Sequence, residues 1–321
     1  MQIKTFGRSI IEVGDCLVSM REMAAESIHC CVTSPPYFGL RDYGHDGQIG
    51  LEQTPDEFVA KLVDVFREVR RVLRDDGTLW LNLGDSYARN PAKGGSGPSG
   101  KNREWYGDNY GEARGADIPF GLKEKDLIGI PWRVAFALQA DDWYLRQDII
   151  WSKPNPMPES VRDRCTKAHE YLFLLSKGPR YYFDHEVIKE PVAEATRSRL
   201  AQNVAEQFGS DRVPGKTNGP MKAVGNGETR NKRSVWNVAT RPFKGAHFAT
   251  FPPDLIEPCI LAGCPEGGTV LDPFGGSGTT GLVAQRHGRN AVLCELNDEY
   301  ARMAADRINA DALDAVLGSA K

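Results

Sequence analysis

The chain has 321 residues, is 40% hydrophobic and carries a formal net charge of −3. That length and apolar content suffice for one large α/β domain with an insertion rather than two equal halves, and the small net charge leaves only local surfaces to attract a polyanion. No apolar stretch is long enough for a membrane span, the opening Met1–Thr5 is not read as a secretory signal, and seven cysteines without metal or disulfide spacing fit reduced thiols, so a cytoplasmic protein with no metal is expected.

Strand and helix signals alternate from the start. Residues 10–13 read as a strand leading into Gly14-Asp15-Cys16, and residues 28–32 as a buried strand in which Cys30 and Cys31 face opposite ways. It runs into Thr33-Ser34-Pro35-Pro36-Tyr37. Two consecutive prolines cannot continue a central strand, so this motif belongs in the loop past the strand's C-terminal end, the edge where open α/β sheets bind ligands. Phe58, Leu62, Val65, Phe66, Val69 and Leu73 recur at helical spacing behind Thr54-Pro55, and Asp75-Asp76-Gly77 is expected to end that helix. Strand at 78–83, helix at 131–140, and strands at 144–151 and 171–175 follow.

Two stretches break the rhythm. Residues 89–118 are rich in glycine, asparagine and charge, the mark of a mobile functional segment or of disorder. Residues 190–244 form the second, and from 197 to 244 ten basic residues face three acidic ones. That local excess suits a phosphate-facing surface, with Arg197, Arg199, Lys216, Lys222, Lys232 and Arg233 as candidate contacts. The expected organisation is therefore 1–189, then an insertion at 190–244, then 245–321.

The last part reads helix at 252–261, strand at 268–271, a glycine-rich turn, helix at 281–287, strand at 291–294 and a final helix at 299–317. The turn is Asp272-Pro273-Phe274-Gly275-Gly276-Ser277-Gly278-Thr279, and the next strand ends at Glu295-Leu296. Strand, glycine turn, helix, strand and acid make a βαβ nucleoside site, with glycines admitting the backbone to the ligand and Glu295 placed for both ribose hydroxyls. No lysine follows the glycines, which removes a triphosphate site. Asp272 would suit the cationic end of a methionine moiety, and Phe274 offers an apolar wall. These features favour S-adenosylmethionine over NAD, which stays as the competing reading.

The proline loop supplies the matching chemistry. An exocyclic amino group on a nucleobase is a poor nucleophile because its lone pair is delocalised into the ring. Hydrogen bonds from its two hydrogens to Ser34 Oγ and the Pro35 carbonyl would push the nitrogen toward tetrahedral geometry. Pro35 and Pro36 fix the backbone that aims the carbonyl, and Tyr37 can stack on the base. Positioning supplies most of such catalysis.

Taken together, these blocks resemble the amino-methylating DNA methyltransferases of the β arrangement, in which the catalytic motif precedes the cofactor motif. Gly14-Asp15-Cys16 resembles the family's segment at the cofactor's adenine side, Thr33–Tyr37 continuing through Arg41 its catalytic block, residues 247–252 with Thr250, Phe251 and Pro252 the block at the methionine end, and 272–280 with Glu295 the remaining cofactor block. The resemblance implies a Rossmann-like, seven-stranded, mostly parallel sheet with one antiparallel strand, circularly permuted motif order and an inserted target-recognition region. It also implies a double-stranded DNA substrate with the target base flipped out, a homodimer, and a cognate restriction endonuclease as a possible companion. Arg41 and Lys153, the latter in a proline-stiffened loop at 153–158, join the DNA-contact candidates. Ser34 departs from the aspartate of many adenine-directed members and is frequent in cytosine-N4 enzymes, but adenine N6 is the commoner product. Adenine is the narrow expectation and cytosine N4 the alternative. A cytosine-C5 enzyme lacks its nucleophile here, since Cys264-Pro265 has the reverse order. An RNA base or a protein glutamine is a further competing substrate that the motif order disfavours, and a non-catalytic DNA-binding module would leave an intact catalytic loop unexplained.

Overall fold

The computed structural model describes residues 2–5, 7–40, 44–45, 47–88, 118, 121–194, 228–241 and 251–318. Arg41, Arg197, Arg199, Lys216, Lys222, Thr250 and all of the 89–118 segment except Ile118 lie outside them.

Branched and aromatic runs form the strands: β1 (Gln2–Lys4), β2 (Ser9–Val13), β3 (Ile28–Thr33), β4 (Leu73–Leu83), β5 (Tyr144–Ser152), β6 (His169–Ser176), β7 (Glu190–Pro191), β8 (Thr229–Arg230), β9 (Val235–Asn237), β10 (Thr269–Asp272) and β11 (Asn290–Glu295). Among the described residues, nine of them make one sheet in the order β1-β2-β11-β10-β3-β4-β6-β5-β9. From β2 to β5 this is the expected seven-stranded pattern, all parallel except β6, which runs antiparallel to both neighbours. Two short edge strands go beyond the expectation, β1 antiparallel to β2 and β9 parallel to β5.

Among the described residues six helices cover the faces: α1 (Cys16–Glu22), α2 (Pro55–Val72), α3 (Ile130–Ala140), α4 (Pro253–Gly263), α5 (Thr279–Arg286) and α6 (Asp298–Gly318). The start of α2 is a capping box, Thr54 accepting from the Glu57 amide and Glu57 reaching back, with proline in the first turn where its missing N–H costs nothing. Phe58, Leu62, Val65, Phe66 and Val69 are buried in a cluster that takes in Met20 of α1, Val134 and Leu138 of α3, and Cys31 of β3. Cys30 points the other way, against α4, where a Cβ on Gly263 would stand 2.8 Å from its sulfur. Both sheet faces are thus covered. Among the described residues no helix is long and apolar enough to cross a membrane.

Helix α2 stops earlier than its acidic stop signal suggested. Leu73 is fully buried and already pairs with Ile28, and the register then jumps to Cys30 opposite Thr78, leaving the exposed 74–76 in a bulge. Helix α1, unread in the sequence, is capped by Asp15, whose Oδ1 accepts from the Val18 amide at 3.0 Å.

Two units are distinguishable, Met1–Phe183 with Ser234–Lys321, and Asp184–Arg233. The second differs at both ends from the insertion expected at 190–244. Val235–Asn237 join the main sheet as β9, where Trp236 buries its ring beside Trp80, centroids 6.5 Å apart. Within the smaller unit β7 and β8 pair antiparallel, and Glu190 accepts from both Arg230 and Arg233.

Candidate active site

The proline loop and the glycine turn leave neighbouring strands at the same edge. β3 and β10 are parallel and adjacent, with Cys30 opposite Val270 and Cys31 opposite Leu271. At their ends the Thr33 hydroxyl donates to Asp272 Oδ1 at 2.6 Å. The Thr280 hydroxyl donates to Asp272 Oδ2 at 2.7 Å, and the Phe274 amide to Oδ1 at 3.1 Å. Asp272 is 1% exposed, and burial pushes its carboxyl up to about 6 although all three hydrogen bonds favour the ionised form. The oxygens of Asp272 thus tie two strands and a helix together inside the protein.

The glycine turn is held from the other side by Glu295. Its Oε2 accepts from the Gly276 amide at 2.8 Å, its Oε1 from the Asn297 amide at 2.9 Å, and its backbone oxygen from Gly14 at 2.9 Å. Burial raises the Glu295 carboxyl above the usual range. The other polar residues of the turn look inward. Ser277 and Thr279 are buried, and the Arg307 guanidinium of α6 donates to both hydroxyls at 3.0 and 2.9 Å. Gly278, at φ 76°, would bring a Cβ within 2.8 Å of Ala304 Cβ. This glycine therefore answers to helix packing against α6. Cys16 is 8% exposed in the apolar cluster, and burial pushes its thiol up to about 12, so it offers a wall and no polar contact. Pro252 is buried ahead of α4, while Phe251, Phe274 and Leu296 are half-buried.

A nucleoside with a positive sulfonium fits this edge. Gly14, at φ 137°, has nothing within 4 Å of where a Cβ would sit, which is the open space a ligand cradle needs. Carboxylates at Asp15 (exposed) and Glu295 stand at the ends of β2 and β11, and the turn at 272–279 contributes no cation to a phosphate. Ribose hydroxyls and a positive sulfur match those acceptors.

In the proline loop Pro35 is buried and Ser34, Pro36 and Tyr37 are half-buried. The Tyr37 ring lies on Gly84, just past β4, where a Cβ would come within 2.4 Å of the ring carbon Cε2. Its hydroxyl donates to Glu170 Oε2 at 2.7 Å and sits 3.5 Å from Asn82 Oδ1. Asn82 is fixed by donating to the Tyr171 carbonyl at 3.1 Å. Glu170 pairs through Oε1 with Lys153, whose ammonium lies 4.2 Å from the centre of the Trp151 ring. Lys153 is thus enclosed in an ion pair beside the proline loop of Tyr37. The proline loop after it is anchored by Asn155, whose Oδ1 accepts from the Thr240 amide at 2.9 Å. Lys232 is half-buried, and Arg233 is exposed and paired with Glu190 at 2.8 Å.

Sequence reasoning missed Asn82, Gly84 and Glu170. Asn82 had a signal, a polar residue inside the apolar run Leu81-Asn82-Leu83. Glu170 had none, because its partners lie 17 and 133 positions away.

A family model described as DNA methylase matches residues 28–306. The type II methyltransferase M.SmaI of Serratia marcescens is 48% identical over 298 residues, 93% of this chain and 90% of that protein. M.Cfr9I of Citrobacter freundii is 48% identical over 305 residues, covering 95% and 89%. Among solved structures, the PvuII cytosine-N4-specific DNA methyltransferase superposes with a TM-score of 0.61 at 19% identity, over 97% of this chain and 93% of that one. A DNA modification methylase of Thermus thermophilus, complexed with S-adenosyl-L-methionine, gives 0.56 at 21% identity over 94% and 93%. These two likenesses concern the fold.

Proposed function

The chain belongs to the type II DNA methyltransferases of the N6/N4 kind, an S-adenosylmethionine-dependent family, and from that premise we propose that it methylates an exocyclic amino nitrogen of a flipped base in double-stranded DNA. The observation that carries this reading is the Thr33–Asp272 hydrogen bond, because it sets the amino-holding loop and the glycine turn side by side at one sheet edge.

Each residue then has a physical task. Asp15, Glu295 and the backbone of Gly14 and Gly276 hold the nucleoside, with Phe274 and Cys16 as apolar walls. S-adenosylmethionine, when bound, supplies a methyl group on a positive sulfur. Ser34 Oγ and the Pro35 carbonyl each accept a hydrogen bond from one amino hydrogen of the base, so the nitrogen lone pair is freed from the ring; as the new N–C bond forms, one N–H bond breaks and its proton passes to solvent. Tyr37 stacks on the base and fixes its plane. No covalent enzyme intermediate is needed. Target recognition is assigned to Asp184–Arg233 with its basic residues Arg197, Arg199, Lys216, Lys222, Lys232 and Arg233, and Arg41, four positions after Tyr37 in the sequence, is a further candidate for DNA contact. A homodimer and a cognate restriction endonuclease remain part of the reading.

The target base has two readings. Adenine N6 rests on the general frequency of that product. Cytosine N4 rests on a residue of this site, since Ser34 presents a neutral hydroxyl where many adenine-directed relatives carry a carboxylate. A residue in the site acts on this reaction and a frequency does not, so cytosine N4 is the reading preferred here. Incubating the protein with labelled cofactor and unmodified DNA, then separating the nucleosides by mass spectrometry, decides it. N4-methyldeoxycytidine supports the preferred reading and N6-methyldeoxyadenosine the other. Label on RNA or protein alone, or none on DNA, overturns both.

A further inference from the structure

We infer that Glu170 is a positioning residue for methyl transfer, acting through Tyr37, with Lys153 as the counter-charge that holds it in place; this rests on the amino-methylation reading above. Tyr37 follows two prolines at a strand end, and a ring there can turn about its own χ angles unless something stops it. Two contacts stop it. One face rests on Gly84, which leaves no Cβ to displace it, and the hydroxyl donates to Glu170 Oε2 at 2.7 Å. Hydrogen bonds to a charged acceptor are the strong kind, so the second contact carries most of the orientation.

The design around Glu170 argues that this bond has a purpose beyond stability. The carboxylate's side chain is only 15% exposed, and Lys153 only 18%. Enclosing a charge pair costs solvation on both sides, and well-packed apolar residues would stabilise the same space as well or better. Instead Trp151 and Glu170 face each other across β5 and β6, Lys153 leaves the end of β5 to meet the carboxylate, and Asn82 of β4 donates to the same Oε2 at 3.3 Å. Three adjacent strands thus converge on one acceptor for one tyrosine hydroxyl. A base stacked on Tyr37 inherits its plane from that bond, and the amino nitrogen's aim at the methyl group depends on it.

The test uses the full-length protein with Glu170→Gln, Tyr37→Phe and the double variant, each near-isosteric so that folding is preserved. The single-turnover methylation rate is measured at saturating DNA and cofactor, beside the Kd for DNA and thermal melting. Each single variant is expected to lose about tenfold in rate with little change in DNA affinity. The double variant is expected to match Tyr37→Phe alone, because Glu170 then has no hydroxyl to hold. Independent, multiplying losses overturn the inference, as does a fall in melting temperature with an unchanged rate. Methylation by the unaltered protein is scored separately. Its absence counts against the amino-methylation reading itself, whereas an active parent with additive variants counts only against the role of Glu170.

Discussion

Thr33 and Asp272, 239 positions apart, share a 2.6 Å hydrogen bond at the ends of two adjacent parallel strands. The residue ahead of the proline loop and the residue ahead of the glycine turn are therefore locked to one another before any ligand arrives. Such a bond lets motifs from opposite ends of the chain act as one cleft, since a displacement of about 1 Å between reacting groups can cost roughly a hundredfold in rate.

Asp272 makes stability pH-dependent in a definite direction. Its folded carboxyl is raised from 3.8 to about 6 by burial. The folded state then holds the proton more tightly than the unfolded chain, so this group's contribution is full below its ordinary value and is lost as pH rises through about 6. Asp272→Asn removes that dependence. In urea unfolding between pH 4 and 7, the unaltered protein should lose about 2–3 kcal/mol relative to the variant across the window. A difference that stays flat with pH contradicts the account.

Tyr37→Ala removes the stacking face while leaving the glycine turn and Glu295 intact. Base–aromatic stacking is worth about 1–3 kcal/mol, so single-turnover methylation should fall by roughly ten- to a hundredfold, and cofactor affinity by calorimetry should stay within about twofold. Loss of cofactor binding in step with activity would show that Tyr37 supports the fold and does not hold the base.

Most of the sheet could be read from the chain because its strands are apolar runs bounded by helix caps and turn residues. Residues 28–33 were legible in this way, and the two prolines after them fixed where the loop must lie. What escaped was whatever depends on partners distant in sequence. Helix α1 is only seven residues long and is held by Asp15 and by burial of Cys16 and Met20. Strand β9 exists because Trp236 meets Trp80, which no local pattern announces. The residue types of the glycine turn are plain in the sequence, but the internal partners of its polar side chains, Arg307, Thr33 and Thr280, are not. A motif reveals the residue types at a site, and the packing around it decides which atoms are still available.

Glu295 should govern cofactor affinity and its pH dependence. Its carboxylate accepts from Gly276 and Asn297 and retains lone pairs for ribose hydroxyls. Because burial raises its carboxyl, the protonated form appears sooner on acidification than for an exposed glutamate, and cofactor affinity should weaken as pH falls through that raised value. Glu295→Gln should bind S-adenosylmethionine about tenfold more weakly near neutrality, and its affinity should be flat where the unaltered protein's declines. Calorimetric titrations at several pH values read both effects. Parallel pH curves for the two proteins would place the titrating group elsewhere.

Gly278→Ala separates packing from ligand contact within the glycine turn. The residue lies at φ 76°, where an alanine costs about 1–2 kcal/mol in backbone strain alone. Its Cβ would also stand 2.8 Å from Ala304 Cβ and 3.1 Å from Ala304 Cα, atoms on a helix that cannot swing aside as a flexible side chain would. Overpacking of that kind adds about 1–3 kcal/mol, so the variant should unfold with a total loss of roughly 2–5 kcal/mol. The loss should appear equally with and without cofactor in denaturant titrations, because α6 is what the new methyl group meets. Were the glycine present chiefly to admit the nucleoside, stability of the ligand-free protein would hardly change and the Kd for S-adenosylmethionine would carry the whole effect. The 2.8 Å approach that an added Cβ would make to Ala304 argues that α6 sets the identity of this residue, and that any ligand is accommodated within a turn whose shape the helix determines.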